Sequence, residues 1–157
     1  MMNERGNKVG RARAHLEKAF LRKFEYFRQF RIAWGNFSTI WVLVAGSTGY
    51  IGIQLIKLLV KHKYVKIKYL CGNSSVGKKI SSYDNSRAFK NLPKIIKYDK
   101  KYLKNVDIVF TALPNGEAQV ISKNLNDKNV LIDLAADFRL KKASDYKKWY
   151  NLKHKAL

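Results

Sequence analysis

The chain has a single cysteine, Cys71, few acidic side chains and no long apolar run. One thiol excludes an internal disulfide and any cysteine cluster for zinc, and no metal site is expected. No stretch approaches the roughly 20 apolar residues needed to span a bilayer. The N-terminus is polar and charged where a signal peptide would need an apolar core. These absences point to the cytoplasm and away from a membrane partner. Acidic residues number 11 against 32 Lys and Arg, a formal charge of +21. Such an excess ordinarily suggests nucleic acid, an anionic membrane or a phosphorylated ligand. Its distribution argues for caution. Residues 1–40 hold six Arg and three Lys, whereas residues 41–157 hold two Arg and 21 Lys. The lysines of the second part are scattered through predicted helices and loops, as on a solvated face, so no nucleic-acid site is expected.

What is present is enough for one domain: 157 residues with 46% hydrophobic content, which suffices for a core. From Arg11 to Trp34 a basic, aromatic-rich stretch places Leu16, Phe20, Phe24 and Phe27 at helical spacing, and Phe30 and Trp34 extend the pattern. It fits an amphipathic surface helix and equally an organelle-targeting leader, although Glu4, Glu17 and Glu25 are unusual for a leader. We read residues 1–40 as an extension outside the fold, and residues 41–157 as the folded domain.

Beyond Ile40 strands alternate with helices. Strands are expected at 41–45, 64–71, 94–98, 106–113 and 129–134, and helices at 50–62, 116–126 and 143–150. Residues 72–92 read as a long loop. This alternation implies right-handed crossovers and a doubly wound parallel sheet of the α/β class. The first strand, Trp41 to Ala45, runs into GSTGYIG and then into the helix-like IQLIKLLVKH. Glycines at 46, 49 and 52 let the backbone turn tightly, approach a pyrophosphate and pack helix on strand, leaving free N–H groups for the anion. This is a Rossmann turn, so Gly46, Ser47, Thr48, Gly49, Tyr50, Ile51 and Gly52 are the candidate cofactor-binding residues. The same spacing also joins strands to helices that bind nothing.

The end of the second strand selects between cofactors. An acidic residue there binds the adenosine ribose of NAD and repels the extra phosphate of NADP. This strand ends in CGNSSVGKK, without a carboxylate. Ser74 and Ser75 can donate hydrogen bonds and Lys78 or Lys79 can supply charge, so NADP is favoured over a polar loop that touches nothing.

Three further runs lie behind the turn in fixed order: VFTALPNGEA, LIDLAADFRL, and DYKKWY followed by His154. Together with GSTGYIG they resemble the N-acetyl-gamma-glutamyl-phosphate reductases of arginine biosynthesis. The likeness covers roughly residues 41–157, the NADP-binding portion of that enzyme. The glycine turn alone is shared with aspartate-semialdehyde dehydrogenases and other relatives. The resemblance implies that Pro114, Asn115 and Gly116 lie beside the nicotinamide half of the cofactor. It also implies that Asp133, Asp137 and Arg139 either shape the approach to a small acyl-phosphate substrate or form an internal ion-pair network. Full-length relatives are expected to be homo-oligomers.

The resemblance further implies a mechanism in which a cysteine thiolate attacks the acyl phosphate, phosphate leaves, and NADPH reduces the resulting thioester while a histidine manages protons. No catalytic residue is expected in this chain, because the family places its cysteine and histidine farther downstream. Cys71, at the adenosine end of the second strand, reads as a small buried apolar group. His62 fits a turn, His154 matches a histidine after the Trp-Tyr pair, and His15 lies in the extension. The chain is therefore expected to be a fragment, inactive alone. Tyr64 and Lys68 match the Tyr-xxx-Lys spacing of short-chain dehydrogenases but fall in a predicted strand, out of reach of a nicotinamide. The alternatives are another NADP-dependent semialdehyde dehydrogenase and a basic nucleic-acid-binding protein. The latter would bind RNA with strong salt dependence and ignore NADP.

Overall fold

A computed structural model describes residues 39–156. The Arg11 to Trp34 stretch and His15 lie outside the described residues. Five strands form one parallel sheet: β1 (Ile40–Ala45), β2 (Val65–Cys71), β3 (Ile95–Ile96), β4 (Ile108–Thr111) and β5 (Val130–Asp133). Their order is β3-β2-β1-β4-β5. The chain leaves β1 in one direction to build β2 and β3, then returns to the other side for β4 and β5. Right-handed crossovers leaving a strand in opposite directions place their connections on opposite faces, so the topology is doubly wound.

The helices are α1 (Tyr50–Leu59), α2 (Glu117–Ser122) and α3 (Ala143–Tyr150). All five expected strands and all three helices are present, each within its expected range to a residue or so and mostly shorter. The central strands are apolar on both faces, as burial between two helical layers requires. In β1 Ile40 and residues 42–45 are buried, and β4 is buried throughout. One side of the core gathers Leu43, Ala45, Cys71, Leu103, Val106, Val109 and Ile121. The alternation of a strand puts Leu43 and Ala45 on one face together, and the register Leu43↔Val109 aligns them with β4. In α1, Leu55, Ile56 and Leu59 form the buried stripe.

The segment expected as a long loop, 72–92, carries short helical turns of its own. It contains two short 3-10 turns, Ile80–Ser82 and Arg87–Phe89, whose Ile80 and Phe89 are fully buried anchors. Lys57 of α1 holds it from outside through an ion pair to Asp84 at 2.6 Å. A further 3-10 turn, Lys100–Asn105, was not anticipated. Asp99 caps it by accepting from the Lys101 N–H at 2.9 Å, the usual role of an Asp at a helical start.

Candidate functional site

The strand order reverses between β1 and β4, and in open parallel sheets the crevice at that reversal, outside the carboxyl ends of the strands, is where ligands bind. Two turns meet there. Gly46 leaves β1 at φ 81°, a left-handed conformation that costs an L-residue with a side chain roughly 1–2 kcal/mol. A Cβ on Gly46 would run into the carbonyl of Ala112 just past β4, and a Cβ on Gly52 would run into the carbonyl of Gly46. Gly46 and Gly52 are thus glycine for want of space. Gly49, at φ −67°, meets only Gly46 O at 3.5 Å, an ordinary contact.

The turn is held from the next strand. The Cys71 carbonyl at the end of β2 accepts from the Gly46 N–H (3.0 Å), the Ser47 N–H (3.1 Å) and the Ser47 hydroxyl (3.1 Å). Ser47 is fully buried in that role, so its side chain braces the turn. Gly49 precedes α1 without a side-chain cap. The amides of Thr48, Tyr50 and Ile51 have no protein partner among the described residues. Unsatisfied amides at a helix N-terminus, aligned with its dipole, favour an anion.

After β2 the two serines part company. Ser74 is exposed along with Lys78 and Lys79. Ser75 is 2% exposed, with its Oγ packed over Gly72 and without a hydrogen-bond partner among the described residues. The expectation that Ser74 and Ser75 both offer hydrogen bonds to a cofactor is corrected for Ser75, which is buried: the Gly77 N–H donates to Ile95 O at 2.8 Å and ties the loop back to β3.

On the β4 side, Pro114 and Asn115 are exposed, and Gly116 adopts φ 93° at the start of α2. Behind them the two carboxylates of LIDLAADFRL do separate jobs. Asp133, beside Thr111 in the β4–β5 register, accepts from the Thr111 hydroxyl at 2.7 Å and from the amides of Ala135 and Asp137. Asp137 is 1% exposed. Its Oδ1 accepts from the Gly116 N–H and the Tyr146 hydroxyl, both at 2.7 Å. Its main-chain carbonyl accepts from His154 Nε2 at 2.7 Å. Because a carbonyl only accepts and Nδ1 takes the Ala156 N–H at 3.3 Å, His154 is the neutral Nε2-protonated tautomer. Arg139 is exposed and bonds the Ala135 carbonyl at 3.1 Å. The network exists, but among the described residues it is one of hydrogen bonds without Arg139. Sequence reasoning missed Thr111, and it missed Gln119, whose Oε1 takes the Lys155 N–H at 2.6 Å; no local pattern marks either.

Cys71 is 2% exposed and burial pushes its thiol up to about 12. Tyr146 is also pushed up to about 12, by burial first and then by its bond to Asp137. Between about pH 9 and 12 the folded chain keeps protons that the unfolded chain releases. This contribution to stability is therefore full below pH 9 and declines as pH rises. Urea midpoints should fall more steeply above pH 9 in the parent chain than in Cys71→Ser; identical slopes would contradict the buried thiol. Tyr64 immediately precedes β2 and Lys68 lies within it, over the Trp41 ring at 5.1 Å. His62 Nδ1 accepts the Tyr64 N–H. Among the described residues no three His, Cys, Asp or Glu side chains group as a metal site, and no helix is long and apolar enough to cross a membrane.

The model of a known domain, the semialdehyde dehydrogenase NAD binding domain, matches residues 41–152. The N-acetyl-gamma-glutamyl-phosphate reductase of Ehrlichia ruminantium (strain Gardel) is 41% identical over 111 residues, 69% of this chain and 32% of that protein. The reductase of the same name from Brachyspira hyodysenteriae is 43% identical over 116 residues, 73% of this chain and 32% of that protein. Aspartate semialdehyde dehydrogenase from Candida albicans, solved with NADP, superposes with a TM-score of 0.53 at 27% identity, covering 68% of this chain and 32% of that one. The chain thus spans 32% of the length of the curated relatives it matches. With the matched model covering its glycine turn, all five strands and all three helices, the chain belongs to the family of semialdehyde dehydrogenase NAD-binding domains.

Proposed function

We propose that residues 41–157 are the NADP-binding portion of an N-acetyl-gamma-glutamyl-phosphate reductase, which reduces an acyl phosphate to a semialdehyde in arginine biosynthesis. The observation that carries this is the turn at the strand-order reversal: two glycines packed against carbonyls lead into a helix N-terminus where the amides of Thr48, Tyr50 and Ile51 have no protein partner among the described residues. The residues present fit the cofactor. The amides of Thr48, Tyr50 and Ile51 would hold the pyrophosphate, with Gly49 allowing close approach. Ser74, Lys78 and Lys79, exposed on the carboxylate-free run 72–79, would hold the adenosine phosphate. Pro114, Asn115 and Gly116 would border the nicotinamide half. NADPH supplies hydride when bound. The likeness to curated reductases favours this substrate class over that of other semialdehyde dehydrogenases. On this reading the protein acts in the cytoplasm on a small molecule, as part of a homo-oligomer and without nucleic acid. Asp137, buried behind the turn, acts on its shape, and Arg139 is the better placed of the two to meet a substrate.

Calorimetric titration tests the cofactor assignment. The chain should bind NADP more tightly than NAD. Ser74→Asp should weaken NADP about tenfold through charge repulsion, roughly 1.4 kcal/mol. Tighter binding of NAD by the unmodified chain would sink the assignment.

A further inference from the structure

We infer that Asp137 is a positioning residue that sets the 114–116 turn and couples it to the 146–156 segment; the functional part of this inference rests on the cofactor reading above. Gly116 sits at φ 93°, with open space where its Cβ would be, so local crowding does not force the turn. What fixes it is the 2.7 Å bond from its N–H to Asp137 Oδ1. A bond to a carboxylate is roughly twice as strong as one to a neutral acceptor.

The same oxygen takes the Tyr146 hydroxyl of α3 at 2.7 Å, so turn and helix compete for one acceptor. The other oxygen, Oδ2, is buried with no hydrogen-bond partner among the described residues. His154 closes the group from outside. Its Nε2 bonds the Asp137 carbonyl, and its ring packs edge-on against Tyr146 at 5.1 Å and Phe138 at 5.7 Å. Lys155 continues the tie to Gln119 of α2. A carboxylate thus joins the turn after β4 to the helix and strap that follow it.

The test uses the full chain and two variants with opposite expected signs. Asp137→Asn keeps the shape but replaces the charged acceptor by a neutral one. The Gly116 amide proton should move upfield in the NMR spectrum, and NADP affinity should fall about fivefold. Tyr146→Phe removes the competing donor and leaves Oδ1 to Gly116. That amide should move downfield, with NADP affinity within about twofold of the parent. A merely structural role would loosen the turn in both variants and shift the amide the same way in both, which would overturn the inference. So would an unmoved Gly116 amide, or a moved amide with unchanged affinity, in Asp137→Asn. A parent chain that binds neither dinucleotide would instead defeat the cofactor reading. In that event the amide shifts would still decide whether Asp137 holds the turn. Should Asp137→Asn fail to fold, the direction of the Tyr146→Phe shift decides alone.

Discussion

Gly46→Ala should destabilise the fold by about 3 kcal/mol and abolish dinucleotide binding. The left-handed backbone accounts for roughly 1–2 kcal/mol, and the overlap with the Ala112 carbonyl adds about as much again, the usual cost of overpacking a rigid site. Domains of this size are stable by only about 5–15 kcal/mol, so the loss is a large share of the total. Gly52→Ala makes the sharper case. It lies inside α1, where alanine is the better helix former by about 1 kcal/mol, yet its Cβ would meet the Gly46 carbonyl. It should be destabilising, against propensity. Gly49→Ala serves as the control, costing about 1 kcal/mol or less as a loss of N-cap preference. Urea denaturation ranks the three and calorimetry reads the cofactor. A Gly52→Ala chain as stable as the parent would show that the turn is not packed as described.

The second large effect concerns the only thiol. With its pKa near 12, Cys71 is thiolate in only about one molecule in ten thousand at pH 8, against roughly a quarter for an ordinary cysteine. Labelling by a thiol reagent at pH 8 should therefore run on the order of a few thousandfold slower in the native chain than in the denatured one. The chain alone should not form NADPH from semialdehyde and phosphate, and Cys71→Ser should leave that result unchanged. Adding a separately expressed remainder from a full-length relative is the positive arm. Turnover by the chain alone, abolished by Cys71→Ser, would overturn the mechanism, and rapid native labelling would overturn the burial.

Much of the fold was legible because strand and helix alternation survives in a lysine-rich text. VLVA and IVF have the continuous apolar character of strands covered on both faces, and Leu55, Ile56 and Leu59 mark a helical stripe. The 3-10 turn at Lys100–Asn105 was not, since six residues are too few for a period to show; the capping Asp99 was its one local signal. Ile80 and Phe89, single apolar residues in polar surroundings, look like exposed exceptions until tertiary packing buries them. The glycine turn was legible in its chemistry, although spacing could not tell that Gly49 is sterically the least constrained of its three glycines. Ser75 and Asp137 were legible only as residue types. Whether a hydroxyl points in or out, and whether a carboxylate meets a substrate or a glycine amide, depends on partners 21 residues away in the case of Asp137 and Gly116.

The central place of β1 in the sheet also governs how the chain is made. Its second edge pairs with β4, and Asp107, which closes that edge on the Trp41 amide, follows 66 residues later. At about 5–20 residues per second, synthesis leaves this edge waiting roughly 3–13 s. Throughout that interval the nascent chain offers a fully apolar strand, residues 42–45, paired on one side at most. Non-local pairing of this kind folds slowly and leaves an unpaired strand edge open to association. A ribosome-associated chaperone that grips extended apolar segments therefore meets β1 before β4 does.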